Sequence, residues 1–313
     1  MLLGAAVAGC STNSSAPSGN TQLGASLTAN VRRSQLLSEG FGQVSSHRTR
    51  PSGWVAPDVN RRKALIYWGD YYNNTITIYP AKGTNPPEKG QITSGLSNPE
   101  RLFVDNAFAV YATNIGNNTI TEYKRHATTP GLTISTGIDT PTGLTVDAAG
   151  TVYCANTGSE SITVYPKGHT SPSLTIPIAG SPEYLAIDRS DNLYVSYLGG
   201  SKRTGVVEFA PGSTTGNDLG LDVSGAGALA VDRSGNIVIV NEYGSTIDVF
   251  RAGQTEPSKR IGVTAGTAFG LSLSKKETKL YVSVETGGEF VVQQLDYPHG
   301  KSLTTKLSTN AGN

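Results

Sequence analysis

The sequence predicts an all-β protein, a six-bladed β-propeller with four antiparallel strands per blade, on three observations. The stretch VYCANTGSESITVYP at 152–166 returns as close variants starting at Ile66, Val110, Leu193, Ile237 and Leu280, with successive offsets of 44, 42, 41, 44 and 43 residues. A fixed period of this size marks a propeller or array, in which each repeat is one unit that buries its faces only against its neighbours. Within a period, short apolar runs alternate with turn residues, and 37 glycines and 16 prolines in 313 residues supply those turns.

Taken in order, the chain opens on MLLGAAVAG, a short apolar run followed by Cys10. Val7-Ala8-Gly9-Cys10 resembles the lipobox of bacterial lipoproteins, which implies residues 1–10 as a lipoprotein-type signal, Cys10 as the lipidated residue and a location at the bacterial cell envelope, facing periplasm or exterior. Cys154 then has no partner, so no internal disulfide is expected, and its place inside a strand reads as a small buried hydrophobe. Residues 11–52, beginning STNSSAPSGNTQLGAS, carry no sustained periodicity and read as a flexible tether, which as a coil would span roughly 35 Å.

The propeller is expected over 53–308, with a tail at 309–313. In the third period the runs 143–146, 151–155, 161–165 and 174–178 are the four strands, with Asp147-Ala148-Ala149-Gly150 turning the first into the second. The corresponding first strands are Trp54-Val55-Ala56, Leu102-Phe103-Val104, Leu144-Thr145-Val146, Leu185-Ala186-Ile187, Leu229-Ala230-Val231 and Gly270-Leu271-Ser272. The last blade is completed either by 302–307 or by an N-terminal strand. Asp105, Asp147, Asp188 and Asp232 each follow a first strand, where an aspartate accepts backbone N–H bonds across a short turn. Asn73 and Asn117 head Asn-Asn-Thr copies that match a glycosylation acceptor pattern but occupy the turn into a third strand.

Composition excludes some functions. With 25 basic and 24 acidic residues the net charge is +1, without the basic footprint of a nucleic-acid binder. No apolar stretch after the N-terminus is long enough to span a bilayer, so membrane contact is expected through the lipid anchor only, and a monomer is expected.

The pattern P-x-G-L-x-V-D, V/L-Y-x-x-N and I-T-V-Y-P, as in 141–147, 152–156 and 162–166, resembles NHL-type repeats and, more widely, the six-bladed propellers that include gluconolactonase-like enzymes. The resemblance spans all six repeats. NHL-type propellers serve mostly as binding platforms, and the enzymes differ from them by a few channel residues.

In such a ring, the connections between blades and the turns from second to third strand share one face around the central channel. That face would carry Asp70, Tyr71, Tyr72, Glu100, Arg101, Asn114, Asn156, Glu183, Tyr184, Tyr197, Asn241, Glu242, Tyr243 and Glu285. Tyrosine rings, with Trp68, beside carboxylates and an arginine suit a protein, peptide or carbohydrate partner, so the expected function is non-catalytic binding or scaffolding without a cofactor. The alternative is a metal-dependent lactonase or esterase, with calcium or another divalent cation held by Glu100 or Glu183 with Asn156 and Asn241 to polarise a carbonyl. A streptogramin lyase type of propeller, which also has similar repeats, implies a histidine in the channel, and His47, His126, His169 and His299 all fall off the expected face.

Overall fold

A computed structural model describes residues 4–9, 53–55, 64–199, 204–242, 245–263, 266–286 and 289–308. The tether, Cys10 and the tail lie outside them. The described chain is all-β and forms six sheets, one per repeat, in a propeller. Blades two to six each contain four antiparallel strands in sequence order, from the channel outward. Blade three is typical: Pro141–Val146, Val152–Asn156, Ser161–Tyr165 and Leu174–Pro177. Ser302–Ser308 completes blade six as its outer strand, which decides the alternative that the sequence leaves open.

Blade one differs from the expectation. Trp54–Val55 is not its inner strand but a short strand on its outer edge, paired with Gln91 and Gly90. Gly53 enters this edge so closely that a Cβ there would lie 2.8 Å from the carbonyl oxygen of Gln91. The sequence explains the difference: Asp58 after Trp54-Val55-Ala56 imitates the aspartate that follows an inner strand, but it stands eight residues before Ile66, where Asp105, Asp147, Asp188 and Asp232 stand five before Val110, Val152, Leu193 and Ile237. The inner position is taken instead by Gly4–Gly9, running parallel to Leu65–Asp70.

The core sits between blades. Ala109, Tyr111, Ile120, Ile134, Leu144, Val152, Cys154 and Tyr165 join blades two and three, and equivalent clusters fill the other junctions. Ile66, Trp68, Tyr281, Phe290 and Val292 join blade six to blade one, so apolar packing closes the ring. Tyrosine hydroxyls add ties to the preceding connections: Tyr123 donates to the Ser94 carbonyl at 2.6 Å and Tyr165 to that of Thr136 at 2.7 Å.

The turn aspartates do what their position predicts. Asp105 accepts from the backbone N–H of Ala107 and Ala109, Asp147 from Thr151, Asp188 from Ser190 and Asn192, and Asp232 from Ser234 and Asn236. In blade six Ser274 takes the place of aspartate, its Oγ accepting from Lys279 N at 3.1 Å. Cys154 is fully buried, and burial pushes its thiol far above the usual cysteine range. Its thiol is therefore expected to stay unreactive toward an aromatic disulfide reagent in the folded protein and to titrate fully on addition of denaturant. Rapid reaction before unfolding would contradict this burial.

Candidate functional site

The channel mouth is built by a device that the inner strands share. In blades two, three, four and six the inner strand begins with one extra residue, Glu100, Thr142, Glu183 or Phe269, against its neighbour, and blade five shows the same shift between Ala226 and Leu229. A bulge of this kind turns the strand and re-aims side chains at a sheet end. The residues next along these strands, Arg101, Gly143, Tyr184, Ala228 and Gly270, line the channel. Two are large and three are small, so the small positions leave room for the large side chains to meet.

They do meet. The Arg101 guanidinium lies over the Tyr184 ring, 4.2 Å from its centroid. Arg101 Nη1 is 3.3 Å from Glu100 Oε1 and donates to the Glu100 carbonyl at 3.1 Å. From the other side, the Tyr184 hydroxyl donates to the Phe269 carbonyl at 3.1 Å and lies 3.4 Å from Glu242 Oε1. Glu100, Arg101, Glu183 and Tyr184 are all buried. This chain of contacts runs from blade two through blade four to blades five and six, and crosses one end of the channel. A cation over an aromatic face out of water contributes about 2 kcal/mol.

Beyond this lock lies a cavity of about 350 Å³ along the inner strands of blades two to six, with Ser274, Lys275 and Glu277 at its far end. Arg233 clips that end, with its Nε 3.2 Å from Glu277 Oε1 and its guanidinium donating to the Lys275 carbonyl. The sequence points to Thr142 and Phe269 as part of the connections on the channel face, but not to Arg233, Lys275 or Glu277. None of these three has a local signal, because junction contacts are properties of neighbouring blades.

Asn114, Asn156 and Asn241 hold equivalent positions, as expected, but their side chains serve the frame. Asn114 Oδ1 accepts from Ser97 N at 3.1 Å, and its amide donates to Thr121 Oγ1 at 3.1 Å. Asn156 Oδ1 accepts from Asp139 N at 3.0 Å, and its amide donates to Thr163 Oγ1 at 2.8 Å. Asn241 accepts from Ser224 Oγ at 2.7 Å and donates to Asp248 Oδ2 at 3.0 Å. All three are buried. Each asparagine bolts the connection entering its blade to the blade's third strand.

Tyr197 occupies the asparagine position of blade four: it pairs with Pro182 as Asn156 pairs with Pro141. It ties a different pair of elements, the second strand and the outer one. Its ring crosses Gly205, where a Cβ would lie 2.7 Å from the Tyr197 hydroxyl, and the hydroxyl donates to Asp218 Oδ2 on the outer strand at 2.9 Å. Burial, then the Asp218 carboxylate, pushes its phenol up to about 12. Tyr197 is thus a buried strut of blade four, a correction to its expected place on the binding face. Trp68 is likewise packed into the junction of blades six and one.

Asp70 caps a turn, accepting from Tyr72 N at 3.1 Å and Asn73 N at 2.9 Å. Tyr71 is buried while Tyr72 is 42% exposed, with the rings edge to face at 5.1 Å. Glu285 is partly buried, and burial raises its carboxyl above the usual range. Tyr243 lies outside the described residues.

The rim is stitched from blade to blade. Asn74 and Asn118 take the left-handed conformation, with φ of 52° and 53°, and their side-chain oxygens accept from Asn98 N and Thr140 N in the connections to the next blades. Asn98 in turn donates to the Tyr71 carbonyl at 3.1 Å. For metal binding, the buried carboxylates and asparagines offer less than the sequence implies. The side-chain oxygens of Asn156 and Asn241 accept hydrogen bonds within the frame, Glu100 faces Arg101, and among the described residues no three His, Cys, Asp or Glu are grouped to hold an ion.

No protein-family model matches the chain, and no curated protein matches it in sequence. Among solved structures it is similar to Kuenenia stuttgartiensis hydrazine synthase, with a TM-score of 0.59 and 16% identity over 81% of this chain and 80% of that one. At that identity the likeness is one of fold.

Proposed function

We propose that this propeller is a non-catalytic binding or scaffolding module whose recognition face surrounds the Arg101–Tyr184 lock. The observation that carries this reading is the lock itself: a guanidinium stacked at 4.2 Å on a tyrosine whose hydroxyl is tied across the ring spans the channel at this face. Cross-channel contacts inside a collar of interlocked turns offer a stiff surface, which lowers the ordering cost of capturing a partner. Tyr72 stands exposed on that collar, beside turn amides and carbonyls, and a tyrosine ring flanked by hydrogen-bonding groups suits a carbohydrate or peptide. From Val7-Ala8-Gly9-Cys10 we place the module at the bacterial envelope, on a lipid anchor.

Glycan and peptide arrays probed with the purified protein test the reading. The ligand found should be retained by Lys275→Ala, at the opposite end of the channel, and weakened at least about tenfold by Tyr72→Ala, the scale of one aromatic anchor. Loss of binding in Lys275→Ala with none in Tyr72→Ala would move the site to the other face.

A further inference from the structure

Blades two to six make their inner strand in one way: antiparallel to the second strand, with a bulge near its start, and joined to the second strand by a short turn. Blade one does not. Its inner strand, Gly4–Gly9, runs parallel to Leu65–Asp70 in an unbroken register from Gly4 beside Leu65 to Gly9 beside Asp70. Residues 10–64 separate the two, so no hairpin sets their pairing or direction. The strand lies against the inner strands of both neighbouring blades, Pro99–Val104 and Thr267–Leu273.

The geometry requires some strand at this place. Leu65, Ile66, Tyr67 and Trp68 are buried, and their edge faces the axis between two blades. Bare, it would leave about three N–H and three C=O groups unpaired, because successive groups point to alternate sides. The geometry also limits which strand fits. Blade two already presses on Gly69, where a Cβ would lie 3.3 Å from Leu102 Cδ1, and every residue of Gly4–Gly9 is Gly, Ala or Val. Strands of such residues specify register weakly, so main-chain hydrogen bonds supply the hold, as in strand addition at a sheet edge.

We propose that the inner position of blade one is a strand-accepting site. Gly4–Gly9 fills it as a removable insert, and an extended peptide of the same Gly, Ala and Val chemistry takes its place when supplied in trans. A chain cut before Cys10, as lipid anchoring would require, loses its own insert and presents the site open.

The test uses the full chain with a specific protease site inserted between residues 11 and 19, cut after folding. A labelled peptide of residues 1–12 should be taken up, measured by fluorescence anisotropy and by co-migration with the ring in size exclusion. The same peptide with Ala5→Pro and Ala6→Pro should not be. Adjacent prolines remove one amide on each side of the strand, so one of the lost donors must face Leu65–Asp70. Failure of the unmodified peptide to enter the cut protein, or equal uptake of the proline peptide, would overturn the proposal. Neither result bears on ligand binding at the Tyr72 face, which is read separately.

Discussion

Replacing Arg101 by alanine is expected to destabilise the propeller by roughly 3–5 kcal/mol, because it breaks a buried charge pair and leaves the other charge in place. The Arg101 and Glu100 side chains keep only 10% and 4% of their surface, so solvent does little to replace the Arg101 charge beside Glu100. The Tyr184 ring also loses its cation, and the channel mouth loses one of its cross-blade contacts. In a domain of this size the melting temperature should fall by about 10 °C. Arg101→Lys keeps the charge but not the planar stacking or the forked donors, and should fall between the two. A double-mutant cycle of Arg101→Ala with Tyr184→Ala should give a coupling of about 1–2 kcal/mol; additivity would mean that the 4.2 Å stacking contributes nothing.

Asp232 is the second position where one change should matter most. Its carboxylate accepts from two backbone N–H groups, from Asn236 Nδ2 at 2.8 Å and from the Tyr297 hydroxyl of blade six at 2.7 Å. Asp232→Ala should cost about 3 kcal/mol, since the buried Tyr297 hydroxyl loses its acceptor along with the turn. Asp105→Ala, where the bonds given by Ala107 and Ala109 belong to one local turn, should cost about 1 kcal/mol. Burial opposes the charge on Asp232, but its hydrogen bonds outweigh burial and hold the carboxyl below the usual aspartate range. A depressed folded-state pKa means that this stabilisation is present above the unfolded value of about 3.9 and is lost as the pH falls through the lower folded value. Melting measured from pH 5 downward should therefore fall less steeply in Asp232→Asn than in the natural protein.

The architecture was legible because it is repeated. A period near 43 residues, an aspartate after four of the inner strands and an asparagine ending three second strands all follow from local turn chemistry, and the structure places them as expected. The site was less legible for physical reasons. Glu100 and Arg101 were named as face residues, but nothing local says that a bulge at Glu100 turns Arg101 into the channel to meet a tyrosine two blades away. Tyr197 was misplaced because its strand-end position resembles a rim residue, whereas Gly205 lets its ring cross the sheet to Asp218. Trp54-Val55-Ala56 resembles an inner strand in composition but stands 48 residues before Leu102-Phe103-Val104, against 41 to 44 between the other inner strands, and Trp54–Val55 pairs on the outer edge. MLLGAAVAG reads as a signal by composition, while the backbone of Gly4–Gly9 fits the one inner position that the repeats leave unfilled. Composition describes a segment; pairing depends on which edge needs it.

The central claim is that this face of the channel binds rather than catalyses. The most direct measurement is a calcium titration of the purified protein followed by thermal melting, with elemental analysis of the same sample and a lactone hydrolysis assay. The account predicts no stoichiometric ion, no calcium-dependent rise in melting temperature and no hydrolysis above the solvent rate. A stoichiometric ion that raises the melting temperature, is lost in Glu183→Gln and supports lactone hydrolysis would contradict it and establish the metal-dependent reading instead.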